Sequence, residues 1–145
     1  MTKTIAFANL KGGTGKTTIC INTAAHLAKI SSGRVLVVDF DPQANATSGL
    51  GIEGKTLKYS MYDAVLNQCE GYEGVPITQI ILATDVENLH LAPSELDLGV
   101  AAMLLQPAQD RTNILNRILA PVKQFYDYIL IDLPSDTGLF ILNGL

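Results

Sequence analysis

Residues 11–18 carry the strongest chemical signal in the chain. Glycines at three of four successive positions let a loop wrap closely and point main-chain N–H groups inward, and a helix that begins there adds the positive end of its dipole. Lys16 then supplies charge to the β- and γ-phosphates of a nucleotide, and the Thr17 hydroxyl ligates Mg²⁺. The pattern predicts a phosphate-binding loop formed by Gly12, Gly13, Thr14, Gly15, Lys16, Thr17 and Thr18.

Two features of this loop leave alternatives open. The strict pattern G-x-x-x-x-G-K-[ST] would need glycine where Leu10 stands, although the Gly12-Gly13 pair after Lys11 marks a known variant of the motif. A tight strand-to-helix turn that happens to contain lysine and threonine is the alternative explanation. Thr18 either contacts the α-phosphate or caps the helix.

Three aspartates are candidates for the rest of the site. Asp39 and Asp132 each end an apolar strand, and a carboxylate in that place beside a phosphate loop holds waters on Mg²⁺. Acids at strand ends are also common on plain surfaces. Asp41 precedes Pro42, so turn formation explains it about as well as catalysis does.

The elements around the loop predict a βαβ unit. Residues 4–9 and 34–40 are apolar runs typical of strands buried on both faces. Between them, residues 16–31 predict a helix that ends before Gly33, a candidate C-cap. Its predicted apolar stripe consists of Ile19, Thr23, Leu27 and Ile30. Strands joined in this way are parallel.

The rest of the chain continues the alternation of helices and strands. Ser60 and Ser94 are each followed three residues later by an acid, and both predict a serine cap at the start of a helix. Further helical segments and strands are predicted over residues 60–68, 88–92, 95–105, 111–125 with a break near Pro121, and 128–132.

Two other segments stand out. The loop over residues 41–58 is long for a plain connection, which is typical of functional loops. The last nine residues carry no charge and are mostly apolar. Either the chain stops within a packing unit, or this segment docks in the core or against a second copy.

Composition limits the classes of protein that this chain can belong to. Its 145 residues, 48% of them hydrophobic, predict one globular domain and exclude a disordered tail, a fibre and a coiled coil. No apolar run is long enough for a membrane span, and no secretory signal is found, so a cytoplasmic protein without membrane contact is predicted. Cys20 and Cys69 are predicted as buried free thiols, and His26 and His90 as satisfied structural histidines.

Residues 11–18 resemble the deviant Walker A motif of the ParA/Soj/MinD superfamily, in which Lys11 is the hallmark lysine. Residues 39–47 are similar to the D-x-D-P-Q-x-N-A-T segment of ParA/Soj proteins, and residues 126–134 to their Walker B strand. The resemblance implies an α/β, three-layer P-loop NTPase fold with a mainly parallel sheet. It also implies that residues 1–145 are the N-terminal portion of such a nucleotide-binding domain.

The resemblance further implies roles for single residues. Asp132 is the Walker B carboxylate, and it would hold Mg²⁺ together with Asp39 and Thr17. Asp41 would orient or activate the attacking water, and Lys16 would act on the phosphates. Lys11 would reach across an ATP-dependent homodimer to the nucleotide of the other subunit; an exposed loop lysine is the plain alternative.

The function that the resemblance implies is a Mg-ATP-dependent ATPase. It would act as a nucleotide-dependent dimerisation switch in chromosome or plasmid partitioning, associated with the nucleoid, with a ParB-like activator and non-specific DNA as partners. The net charge of −4 gives no support for DNA contact by this segment. Two alternatives stay open, namely a truncated, non-catalytic paralogue that acts as an interaction module, and a ParA-like ATPase that positions another cargo.

Overall fold

A five-stranded sheet forms the middle layer of the computed structural model, which describes all residues from 1 to 145. The strand order is β1-β5-β2-β4-β3, and every pair is parallel except β3 with β4. The predicted α/β class with a mainly parallel sheet is confirmed. The strands are β1 (Lys3–Phe7), β2 (Val35–Asp39), β3 (Leu82–Ala83), β4 (Leu89–Ala92) and β5 (Tyr128–Asp132).

Helices cover both faces of the sheet, and none of them is long and apolar enough to cross a lipid bilayer. The α-helices are α1 (Lys16–Ile30), α2 (Asn45–Gly49), α3 (Met61–Leu66), α4 (Leu98–Leu105), α5 (Ile114–Leu119) and α6 (Leu139–Gly144). Short 3-10 turns occupy Gly54–Thr56, Ile77–Gln79, Arg111–Asn113 and Lys123–Phe125.

The alternation of side chains along β2 separates two cores. Leu36, Val38 and Phe40 face the larger core, to which α3, α4, α5 and α6 contribute. Val35 and Val37 face the smaller core under α1 and α2. The result is the predicted three-layer arrangement.

Two predictions about burial are wrong. Residues 3–5 of β1 are exposed, because this strand pairs only with β5 and lies at the edge of the sheet. In α1 the predicted stripe fails at its ends, where Ile19 and Ile30 are exposed. The buried face is instead made of Cys20, Ala24 and Ala28, small side chains that let the helix lie close to the sheet.

The predicted caps have different outcomes. Ser60 and Asp63 form a capping box at the start of α3, as predicted. Ser94 does not cap α4, because its hydroxyl bonds elsewhere and the N-cap is Asp97. The C-cap of α1 is Ser31 rather than Gly33.

Gly33 is required for space rather than for a left-handed turn. A Cβ added to it would lie 2.9 Å from an Asp127 carboxylate oxygen, which accepts the Arg34 N–H. The left-handed residue in this turn is Ser32, with φ of 51°. The glycine therefore permits a close approach between the α1–β2 turn and the start of β5.

The apolar last segment is docked against the larger core. It forms α6, in which Leu139, Phe140 and Ile141 are buried. The ring of Phe140 lies 4.5 Å from the ring of Phe40, centroid to centroid. Leu142 and Leu145 of the same segment are exposed, so only part of the segment is docked in the core.

The predicted structural character is confirmed for His90 and Cys20. His90 Nδ1 lies 2.8 Å from the Tyr126 hydroxyl, so its polar atom is satisfied within the fold. His26 lies on the exposed side of α1. Cys20 is buried and Cys69 half-buried, and both are free thiols.

Candidate nucleotide-binding site

The glycine-rich loop joins β1 to α1 and has the backbone that its glycines allow. Gly13 and Gly15 adopt φ of 71° and 84°, in the left-handed region that other residues rarely enter. A Cβ added to Gly12, Gly13 or Gly15 would meet no atom within 4 Å, so open space lies beside these three glycines. Thr14 braces the loop, since its hydroxyl accepts from the Asn9 amide and donates to the Lys11 carbonyl.

A cavity of about 340 Å³ opens in front of this loop. Only one of its lining residues, Ile21, is hydrophobic. Six predicted phosphate-loop residues line it together with the predicted catalytic Asp41. The full lining is Gly13, Thr14, Gly15, Lys16, Thr17, Thr18, Ile21, Asp41, Asn45, Gly49 and Ser135.

Four of the lining residues were not singled out from the sequence. Asn45 and Gly49 come from α2, Ile21 from α1, and Ser135 from the loop after β5. A signal existed for Asn45, which lies in the D-x-D-P-Q-x-N-A-T segment. No local pattern marks the others, because the packing of α2 against α1 brings them to the cavity.

Asp132 ties the loop to the end of β5. Its Oδ1 lies 2.7 Å from Lys16 Nζ, and its Oδ2 accepts a hydrogen bond of 2.7 Å from the Thr17 hydroxyl. The Asp132 side chain is fully buried and that of Lys16 is 9% exposed. Two predicted phosphate-loop side chains and one predicted metal ligand therefore converge at one point.

Asp39 lies beside Asp132, its register partner on the neighbouring strand, but faces a different set of donors. Its Oδ2 accepts from the Thr47 N–H at 2.8 Å and from the Thr47 hydroxyl at 2.7 Å, and its Oδ1 accepts from the Asp41 N–H at 3.2 Å. Burial raises the pKa of Asp39 to about 7, while the hydrogen bonds from Thr47 and Asp41 act to lower it. In this arrangement the Asp39 carboxylate does not line the cavity.

Lys11 and Gly12 also lie outside the cavity lining, on the exposed part of the loop. The main-chain N–H of Lys11 donates to the Asn9 side chain at 3.0 Å. Thr18 lines the cavity, and no side chain caps α1 at its Gly15 N-cap. The roles assigned to Lys11, Gly12 and Thr18 stay predictions.

The residues present fit a magnesium nucleotide. The open space beside the loop glycines would let phosphate approach main-chain N–H groups closely. Thr17 and Asp132 offer the hard oxygen atoms that Mg²⁺ prefers. Mg²⁺ at nucleotide sites typically takes one or two protein carboxylates besides the phosphate oxygens.

Comparisons with known proteins give a consistent result. Residues 2–145 match the family described as "AAA domain". The chain is 46% identical over 145 residues to the sporulation initiation inhibitor protein Soj of Bacillus subtilis and 44% identical over 146 residues to the chromosome-partitioning ATPase Soj of Treponema pallidum. All of the chain aligns in both, against 54% and 53% of the relatives, so it spans about half their length.

A solved structure supports the same relationship. Cobyrinic acid a,c-diamide synthase from Mycobacterium smegmatis, with bound ATP analog and magnesium, superimposes with a TM-score of 0.91 at 34% identity. The match covers 100% of this chain and 55% of that one. The predicted P-loop fold is thereby confirmed. The chain belongs to the ParA/Soj family of AAA-domain proteins, within the deviant Walker A superfamily.

Proposed function

We propose that this chain binds Mg-ATP and takes part in its hydrolysis as a ParA-like partition ATPase. One observation carries the proposal: a single cavity is lined by the phosphate loop, including Lys16 and Thr17, and by Asp41. The solved relative with a bound ATP analog and magnesium has the same fold over the whole of this chain.

Each group in the cavity has a distinct task under this proposal. Main-chain N–H groups of the loop and the Lys16 ammonium bind and orient the phosphates. Thr17, with Asp132 and Asp39 behind it, would hold Mg²⁺, which supplies positive charge to the phosphate oxygens. Asp41 orients the attacking water and accepts its proton.

The loop also supports a dimerisation switch. Lys11 is exposed and outside the lining of its own cavity, so its side chain is available to a nucleotide held by a second subunit. Contacts that depend on the γ-phosphate would form with ATP and be released on hydrolysis. ATP binding would then be coupled to assembly of a homodimer.

The cellular role follows from the relatives. Soj of Treponema pallidum is named a chromosome-partitioning ATPase, so we assign this chain to partitioning of a chromosome or plasmid, in the cytoplasm at the nucleoid. A ParB-like activator and non-specific DNA are the proposed partners. Because the net charge of this chain is −4, we do not place the DNA contact within it.

The test is a Mg-ATP titration of the purified chain, with molecular mass followed by light scattering and phosphate release followed in parallel. Saturable binding is expected for wild type and for Lys29→Ala, a control at an exposed lysine of the same helix. Lys16→Ala should abolish binding. Lys11→Ala should retain binding but lose the ATP-dependent doubling of mass.

Three outcomes would contradict parts of the proposal. Absence of binding by the wild-type chain would refute the nucleotide site. Binding without any phosphate release would favour the non-catalytic interaction module. Equal doubling of mass with Lys11→Ala would refute the role of Lys11 across a dimer.

A further inference from the structure

A buried serine outside the cavity holds the loop that carries Asp41. Ser94 follows the end of β4 and has no exposed surface. Its hydroxyl donates a hydrogen bond of 2.6 Å to the main-chain carbonyl of Asp41. Its main-chain N–H donates to the Thr47 hydroxyl at 2.9 Å. Ser94 thus forms hydrogen bonds to the loop at Asp41 and Thr47, which are six residues apart in the chain.

Thr47 and Asp39 close the network. The Thr47 hydroxyl, which accepts from Ser94, donates in turn to Asp39, and Asp39 accepts the N–H of Asp41. Every member is less than a tenth exposed. Buried hydrogen bonds of this kind, with a carboxylate as acceptor, rigidify the segment that they connect when every group is satisfied.

The network controls the main chain of Asp41 rather than its carboxylate. The N–H of Asp41 is bound to Asp39 and its carbonyl to Ser94. Asp41 lines the cavity, and its carboxylate Oδ1 accepts the Gln43 N–H at 3.0 Å. Fixing both peptide groups that flank a residue fixes the direction in which its side chain leaves the chain.

The Ser94 hydroxyl does not cap a helix. The sequence pattern assigned its hydroxyl to the start of α4, yet that helix begins at Leu98 after the N-cap Asp97. The hydroxyl bridges instead to a residue 53 positions away in the chain. The parallel ladder between β2 and β4 ends at Val38 and Ala92, so Ser94 extends the link between these strands beyond the ladder.

We infer that Ser94, acting through Thr47 and the Asp41 main chain, is a positioning residue for the Asp41 carboxylate. The inference rests on the proposed function, in which Asp41 orients the attacking water. Ser94 and Thr47 do not line the cavity. Their loss should therefore slow hydrolysis without weakening nucleotide binding to a similar degree.

The first measurement is hydrogen exchange of residues 41–47 in the chain without nucleotide. Ser94→Ala and Thr47→Val each remove a hydroxyl from the network, and both should raise amide exchange there by about tenfold or more. Thr47→Ser keeps the hydroxyl and should stay within about threefold of wild type. Ser48→Ala is the matched control, since the exposed Ser48 hydroxyl donates only to the main-chain carbonyls of Ala44 and Asn45, at the start of α2.

The second measurement separates hydrolysis from binding. With Ser94→Ala we expect kcat to fall by about tenfold or more while the Kd for Mg-ATP changes by less than about threefold. Thr47→Ser should restore what Thr47→Val loses. On an Asp41→Asn background, Ser94→Ala should cause no further fall, because its effect is transmitted through Asp41.

Specific results would overturn the inference. Unchanged exchange in both Ser94→Ala and Thr47→Val would show that the network does not hold the loop. A full further loss of kcat on the Asp41→Asn background would show that Ser94 acts by another route. A wild-type chain that binds no Mg-ATP refutes the proposed function instead, and the exchange rates still decide whether Ser94 holds the Asp41 loop.

Discussion

Removing either partner of the Lys16–Asp132 ion pair should lower the free energy of unfolding, and by unequal amounts. Asp132 is fully buried on a short side chain that water does not reach, so Lys16→Met leaves a buried charge without a partner. Such a loss typically costs about 3–5 kcal/mol. Asp132→Asn instead leaves the Lys16 ammonium group without its carboxylate partner. Lys16 borders the open cavity and has a long, flexible side chain. Hydration of its ammonium group reduces the expected loss to about 1–3 kcal/mol.

The double variant provides the decisive comparison. With Lys16→Met and Asp132→Asn together, neither charge is left behind, so the loss should be smaller than that of Lys16→Met alone. The coupling energy should reach about 2 kcal/mol, well beyond the 0.3–0.5 kcal/mol or so expected of independent sites. Equilibrium unfolding in urea at neutral pH, followed by circular dichroism, measures all four free energies.

The control and the refuting result are both specific. Lys29→Met changes an exposed lysine of the same helix and should alter stability by less than about 0.5 kcal/mol. Additive effects of the two single variants would refute the direct coupling of Lys16 and Asp132. A larger loss for Asp132→Asn than for Lys16→Met would refute the argument from unequal access to water.

Further predictions concern packing, pH and the loop backbone. Phe40→Ala, which removes a fully buried ring in contact with Phe140, should cost about 3–5 kcal/mol in a urea titration. Burial lowers the pKa of His90, so the neutral form favours the folded state and the contribution of His90 to stability should decline as the pH falls below about 6.5. His90→Asn should flatten that decline in thermal melts recorded between pH 7 and pH 5, and an unchanged slope would contradict it. Gly15→Ala forces a side chain into a left-handed conformation and should destabilise the chain by about 1–2 kcal/mol while weakening Mg-ATP binding by titration.

Much of the fold followed from local patterns. The helix over residues 16–30 and the strands at 35–39 and 128–132 match their predicted positions, because glycine-rich turns and apolar β-branched runs are strong local signals. The two-residue strand β3 was not predicted. Its backbone is held by pairing with β4 rather than by its own composition.

Burial was less predictable than secondary structure. β1 has the apolar composition of an interior strand but lies at the edge of the sheet, and its neighbours are set by strand order, which no local pattern reveals. For α1, hydrophobicity alone predicts that isoleucines form the buried face. The helix instead packs closely against the sheet through the small residues Cys20, Ala24 and Ala28. Local hydrophobicity does not report how near two elements approach each other.

For the site, the sequence by itself determined the chemistry of the phosphate loop. Its glycines, Lys16 and Thr17 are adjacent in the chain, and glycine is what permits the left-handed backbone seen at two of them. Tertiary structure alone decided which distant groups join them. Asp132 reaches Lys16 across 116 positions because β5 lies next to β1 in the sheet.

The tertiary structure also gives Asp39, Asp132 and Ser94 different hydrogen-bond partners. Asp39 and Asp132 end neighbouring strands and have equivalent local signals, yet one faces Thr47 and the other faces the phosphate loop. Ser94 has the local pattern of a helix cap, but its hydroxyl bonds to the Asp41 carbonyl. A residue type specifies which hydrogen bonds are possible, whereas the packing of elements distant in sequence specifies which donor and acceptor meet.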